Sequence, residues 1–218
     1  NAYYRNGEYK KQNRKRLEEW ENKASAFIGR DYIGNYSFAG VMHPQTKIIA
    51  EDLRYMKKHH YIGFYSECTM DFASNFLNYY LLARLMWQPD DDPEKIIDDL
   101  CTKAYGPAAG RMKAFYDLME ESFTRCETVG IHPGNIPDWY SPETIAKACR
   151  LLDEAESAAA TDGEKERIRY NRTGLEYTDK VLTLFRLYRR LCDAGLPMGI
   201  VGYEPDYPES ESEYLAKL

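Results

Sequence analysis

No apolar run in this sequence approaches the ~18–20 residues that a membrane-spanning helix needs. The polar, basic stretch that begins at Asn1 leads into no signal-peptide core, so an export signal is expected only on a longer precursor. A surplus of positive charge is missing too. Against 29 Lys and Arg stand 35 Asp and Glu, a net charge of −6. That balance argues against a nucleic-acid partner, because neutralising phosphates takes an excess of cations. The five cysteines (Cys68, Cys101, Cys126, Cys149 and Cys192) form no C-x-x-C pair and are odd in number. Neither a zinc site nor a disulfide framework is expected, and no metal or cofactor is assigned. Cys101, Cys149 and Cys192 fall on the apolar stripes of expected helices, where Cys acts as a small hydrophobe.

The familiar catalytic strings are also absent: there is no G-x-G-x-x-G, P-loop, G-x-S-x-G or H-E-x-x-H. His59 and His60 are adjacent, which on a helix sets them ~100° apart and makes them poor joint ligands. Their place at a helix end is one the helix dipole favours. The run Asp90-Asp91-Asp92 lacks the alternating spacing of a calcium loop and reads as a helix cap. What the chain has in quantity is apolar residues (44%) and aromatics (14%, with 19 Tyr) across 218 residues. That is ample for a core, and aromatic faces suit stacking on sugar rings as well as core packing.

Residues 1–25 read as a polar helix with a thin apolar edge at Leu17 and Trp20. A short extended run at 27–33 follows, then a loop from Gly34 to Pro44. Next come an amphipathic helix over 46–59, carried by Ile48, Ile49, Leu53 and Met56, and a second extended run at 61–65. Strand, helix, strand, helix is the pattern of a parallel sheet, here with an expected right-handed crossover. Two strands alone do not make a stable parallel sheet, which is normally covered on both faces. Beyond residue 70 the expectation is helix: 73–87, 94–105, 108–125, 142–159 and 164–193, with a loop over 130–140 and a solvated acidic end after Glu204. Helix 73–87 is apolar nearly all round and is expected to be buried, with Trp87 at the junction of the two parts.

In parallel α/β architectures functional residues gather where strands end. Here those places hold Asp31, Tyr32 and Tyr36 after the first strand and Ser66 and Glu67 after the second. Carboxylates and tyrosines on one face can hydrogen-bond and stack on a sugar, so Asp31, Tyr32, Tyr36 and Glu67 are the candidate substrate-binding residues. The alternative is that Asp31 and Glu67 cap the helices that follow them, a reading that balances the binding one for Glu67 and outweighs it for Asp31. No catalytic residue is assigned.

The stretch Asp52-Leu53-Arg54-Tyr55, then Gly63-Phe64-Tyr65-Ser66-Glu67, Leu77-Asn78-Tyr79-Tyr80-Leu81-Leu82-Ala83-Arg84-Leu85-Met86-Trp87-Gln88-Pro89-Asp90 and Ala104-Tyr105-Gly106-Pro107-Ala108-Ala109 resembles one bacterial family. It is the domain of unknown function numbered 4838, found in glycoside-hydrolase-like proteins of polysaccharide-degrading bacteria. The resemblance covers roughly residues 20 to 125. It implies a (β/α)8-like barrel similar to those of α-glucuronidases and hexosaminidases, followed by a helical domain. The fold expected is therefore mainly α with a small parallel α/β part: the last two β/α units of such a barrel in residues 1–87, then a helical bundle in 88–218.

By the same resemblance the partner is a carbohydrate, an oligosaccharide or glycan, and the N-terminal remainder of the same protein completes the barrel. Location would be secreted or periplasmic. Any activity would be O-glycosyl hydrolysis by the full-length protein, not by this chain alone, since glycosidases need two suitably spaced carboxylates. From a different class comes the alternative of a helical interaction or scaffold module without chemistry of its own.

Overall fold

The computed structural model describes residues 7–21, 23–31, 33–34, 40–66, 72–126 and 133–194. Helix α1 (Gly7–Glu21) leads to strand β1 (Phe27–Asp31), helix α2 (Thr46–Lys58), strand β2 (Tyr61–Ser66) and helix α3 (Phe72–Trp87). Helices α4 (Pro93–Tyr105), α5 (Ala109–Arg125), α6 (Pro142–Ala158) and α7 (Asp162–Asp193) complete the described strands and α-helices. The structure is mainly helical with one small sheet. No helix among the described residues is long and apolar enough to cross a membrane.

The strands pair in parallel, with Ile28 opposite Gly63, Gly29 opposite Phe64, Arg30 opposite Tyr65 and Asp31 opposite Ser66. Among the described residues the sheet has these two strands only. Helix α2 covers one face, and Gly29 is what lets it approach: a Cβ there would lie 2.8 Å from Met56 Sδ and 2.9 Å from Phe64 Cδ2. Little covers the rest of the pair. Ile28 is 64% exposed, Ile62 76% and Tyr65 52%, with the Arg30 guanidinium 5.8 Å from the Tyr65 ring centre.

Caps fall where side-chain chemistry puts them. Asp92 accepts from the Glu94 N–H and Ser141 from the Thr144 N–H, each followed by Pro in the first turn. At the end of α4, Gly106 takes φ +50°, a conformation that stops a helix at little cost only in glycine.

Two apolar clusters hold the molecule. The larger lies among α4, α5, α6 and α7 and contains Leu100, Tyr105, Met112, Phe115, Leu152 and Leu182. The smaller joins α2 to α3 through Ile49, Leu53, Leu81, Leu82 and Leu85. Helix α3 belongs to both, since Leu77 sits in the larger cluster. Its backbone leaves helical geometry at Asn75 (φ −124°, ψ 16°). Close behind, α7 passes at Gly174, where a Cβ would lie 2.4 Å from the Ala73 carbonyl oxygen.

Two expectations need correction. Trp87 is 84% exposed and Met86 47%, so the end of α3 is not buried. The buried positions, 74, 75, 77, 78, 81, 82 and 85, trace one face, and apolar residues on the other face stay in water. The segment expected to be a plain loop over 130–140 contains a 3-10 helix (Pro133–Asp138), and it delivers Ile136, Trp139 and Tyr140 into the core at 0–1% exposure. Cys101 is buried as expected and Cys149 is half-buried, while nothing is described of the Cys68 or Cys192 side chain.

Candidate functional site at the strand ends

The C-terminal ends of β1 and β2 lie side by side, with Asp31 paired to Ser66. Just past Asp31 the chain is pinned back, because Ile33 N–H donates to Ser66 Oγ at 2.9 Å. From Val41 to Gln45 it runs buried, outside helix and strand. A buried backbone must find its hydrogen bonds somewhere. Here side chains supply them. Met42 N–H donates to Thr178 Oγ1 and Tyr140 Oη donates to Met42 O. His43 N–H donates to Asn75 Oδ1, Asn78 Nδ2 to His43 O, and Gln45 N–H to Asn78 Oδ1. The His43 ring, fully buried, sets Nδ1 2.7 Å from Val41 O and Nε2 3.0 Å from Ile33 O. A carboxylate on α5 ends the run: Glu120 accepts from Thr46 Oγ1 (2.5 Å) and Lys47 N–H (3.0 Å). It thereby satisfies orphan donors at the start of α2 and places a negative charge at the positive end of its dipole.

Asp31 is 8% exposed. Its negative charge acts on Asp52 of α2, itself 8% exposed, with Oδ2 lacking a hydrogen-bond partner among the described residues. Burial first, and the Asp31 charge second, push the Asp52 carboxyl up to about 6, against the opposing pull of Lys10 and Arg14. Glu51 next door shifts the other way. Partial burial acts upward on it, but the hydrogen bond and charge of Lys10, then those of Arg14, hold it below the ordinary glutamate value. These cations belong to α1: Lys10 pairs with Glu51, and Arg14 lies 3.1 Å from Glu51 Oε1, 3.5 Å from Asp52 Oδ1 and 4.6 Å from the Tyr55 ring centre. Helix α1 is thus docked on α2 by charge and aromatic contacts.

Of the four residues expected to bind substrate, Asp31 alone is described; Tyr32, Tyr36 and Glu67 lie outside the described residues. The start of α2, for which Asp31 is the expected cap, is instead served by Glu120. Sequence reasoning passed over Asp52, His43, Asn75, Asn78 and Glu120. Four of them carried a legible signal, a polar residue inside an apolar helical stripe: Asp52 between Ile49 and Leu53, Asn75 and Asn78 before Leu81, Glu120 between Met119 and Phe123. Among the described residues no group of three or more His, Cys, Asp or Glu is placed to hold a metal ion.

Fold and strand-end geometry define a helix-rich protein carrying a parallel βαβ unit in which buried polar side chains bind the backbone of residues 42–45 ahead of α2. The model of the family described as a domain of unknown function (DUF4838) matches residues 4–117, which is 114 of the 218, and the chain belongs to that family. No curated protein and no solved structure matches it.

Proposed function

We propose that this chain is the closing part of a carbohydrate-active β/α protein. In this reading its two β/α units complete a barrel-like sheet begun by the N-terminal remainder of the polypeptide. Asp31, Tyr32, Tyr36 and Glu67 then form one wall of a sugar-binding cleft at the strand ends, with the helices as support. The observation that carries it is the uncovered strand pair. Parallel strands are normally buried on both faces, yet Ile28, Ile62 and Tyr65 stand in solvent. Helix α1 supports the same reading, since it lies against α2 as a further outer-layer helix would. Any hydrolysis would be O-glycosyl transfer to water by the longer protein, whose second carboxylate comes from outside these residues.

The test is amide hydrogen exchange at 27–31 and 61–66 in this chain and in the longer polypeptide, followed by binding of uronic-acid and N-acetylhexosamine glycosides to the longer polypeptide and its Glu67→Gln variant. Protection that rises by orders of magnitude and binding that falls in the variant support the reading. A reading frame without further β/α units upstream of Asn1 sinks it.

One observation favours the second reading, a helical interaction module. Tyr177, Leu184 and Leu191 recur every seven residues along α7 and are 46%, 54% and 36% exposed, with Leu187 at 50% beside them. A face of that kind suits a partner helix.

A further inference from the structure

The first turns of α3, the end of α4 and the N-terminal half of α7 enclose a cleft of about 310 Å3. Its walls are aromatic. Phe72 and Phe76 stand one helical turn apart with ring centres 5.3 Å from each other, and Tyr170 faces the same space from α7. Rings of this size are normally buried, yet Phe72 is 49% and Tyr170 47% exposed.

The floor offers a ligand nothing polar. Tyr116 Oη donates to Asn171 Oδ1 (2.9 Å) and Asn171 Nδ2 donates to Tyr105 Oη (3.1 Å). The Tyr105 hydroxyl is therefore left to donate to Tyr116 Oη at 2.7 Å, which closes a ring of three. Polar reach comes from the rim. The Glu166 carboxylate has no ion pair or hydrogen bond among the described residues. Arg167 donates through Nε to Ala104 O at 2.8 Å, leaving its two terminal nitrogens open among the described residues.

These features select a ligand class. The two opposite charges on the rim offset each other toward a singly charged ligand, and together they offer acceptors and donors, which suits a neutral ligand that carries both. The exposed rings require that ligand to have an apolar face. A pyranose has both, with axial C–H groups on one face and hydroxyls at the edge. The volume lies at the small end of the ~300–1,000 Å3 typical of ligand pockets, which suits one or two rings and not a long chain.

We propose that this cleft binds a neutral pyranose unit, stacked on Tyr170 and Phe72 with its hydroxyls on Glu166 and Arg167. It is a separate site from the strand ends. None of Asp31, Tyr32, Tyr36 or Glu67 enters the argument, and the cleft stands whether or not the strand-end reading holds.

The test is an NMR titration of the full chain with methyl β-glucopyranoside, cellobiose and N-acetylglucosamine, beside the charged glucuronate and glucosamine. At least one neutral sugar should bind on the millimolar scale, with the charged compounds several-fold weaker. Tyr170→Ala and Phe72→Ala should each weaken binding by up to about tenfold, the worth of one ring stack, while Tyr170→Phe keeps it. Glu166→Ala should relax the discrimination against glucuronate. One substitution should leave affinity unchanged: Tyr177→Ala, exposed on α7 outside the cleft. Circular dichroism checks that each variant is folded. The proposal falls if no neutral sugar shifts a resonance, or if folded Tyr170→Ala and Phe72→Ala bind as the unaltered chain does. It also falls if Asp31→Asn abolishes binding while the cleft variants retain it, which would assign the sugar to the strand ends instead.

Discussion

Replacing Asp52 by Asn removes a charge that the fold holds at 8% exposure beside Asp31, with one carboxylate oxygen lacking a hydrogen-bond partner among the described residues. The carboxyl rises from 3.8 to about 6. A rise of about two units at ~1.36 kcal/mol each corresponds to roughly 3 kcal/mol by which the ionised group disfavours the folded state near pH 7. The sign follows from proton affinity. The folded carboxyl binds its proton more tightly than the unfolded one, so stability should rise as pH falls through 6 and level off below 3.8. That figure is already net of the pull of Arg14, 3.5 Å from Asp52 Oδ1. The variant should therefore be about 3 kcal/mol more stable near pH 7, and it should lack the rise between pH 7 and 4 expected of the unaltered chain. Urea unfolding followed by far-UV circular dichroism at several pH values in that range measures both effects. A variant less stable than the unaltered chain near neutral pH would refute the reasoning. It would mean that Lys10 and Arg14 make the Asp52 charge a net asset.

Two further substitutions probe packing. Gly174→Ala should destabilise by about 2 kcal/mol or more in urea, although alanine is the better helix former by about 1 kcal/mol, because its Cβ would sit 2.4 Å from the Ala73 carbonyl oxygen. A gain in stability would show that α3 and α7 part easily. Trp87→Ala, at 84% exposure, should change stability by less than about 0.5 kcal/mol, and acrylamide should quench Trp87 far more readily than Trp139, which is 1% exposed.

The βαβ unit and the α-helices were legible because their signals are local: Gly106 after Tyr105, Asp92 before Pro93, and apolar residues three and four apart. Strand pairing followed from the order of elements, since a parallel pair joined by one helix has few alternatives. What escaped depends on contacts far apart in sequence. Trp87 completes an apolar helix, but which of its faces is covered is decided by α2 and α7. Trp139 and Tyr140 sit among prolines and glycines that announce a loop, and a loop can still carry side chains into a core. At the candidate site, strand ends could be located and Asp31 named from order alone. Its neighbour Asp52, 21 positions on, was hidden by reading the α2 stripe for apolar residues only.

Helix α3 gives the molecule an unusual mechanical layout. Its first half belongs to the bundle's core and its second half to the core under the sheet, so the two parts share a rod where many two-part proteins have a linker. Domain closure by a flexible tether is then excluded at this junction. A change in the angle between bundle and sheet has to bend the rod, and the backbone already departs from helical geometry at Asn75. The Asn75 side chain grips the crossover segment, accepting from His43 N–H at 3.1 Å and donating to Val41 O at 3.4 Å. A bend there would pull on the loop that follows β1. The cleft beside Phe72 and Phe76 lies at this same joint, three residues before and one residue after Asn75.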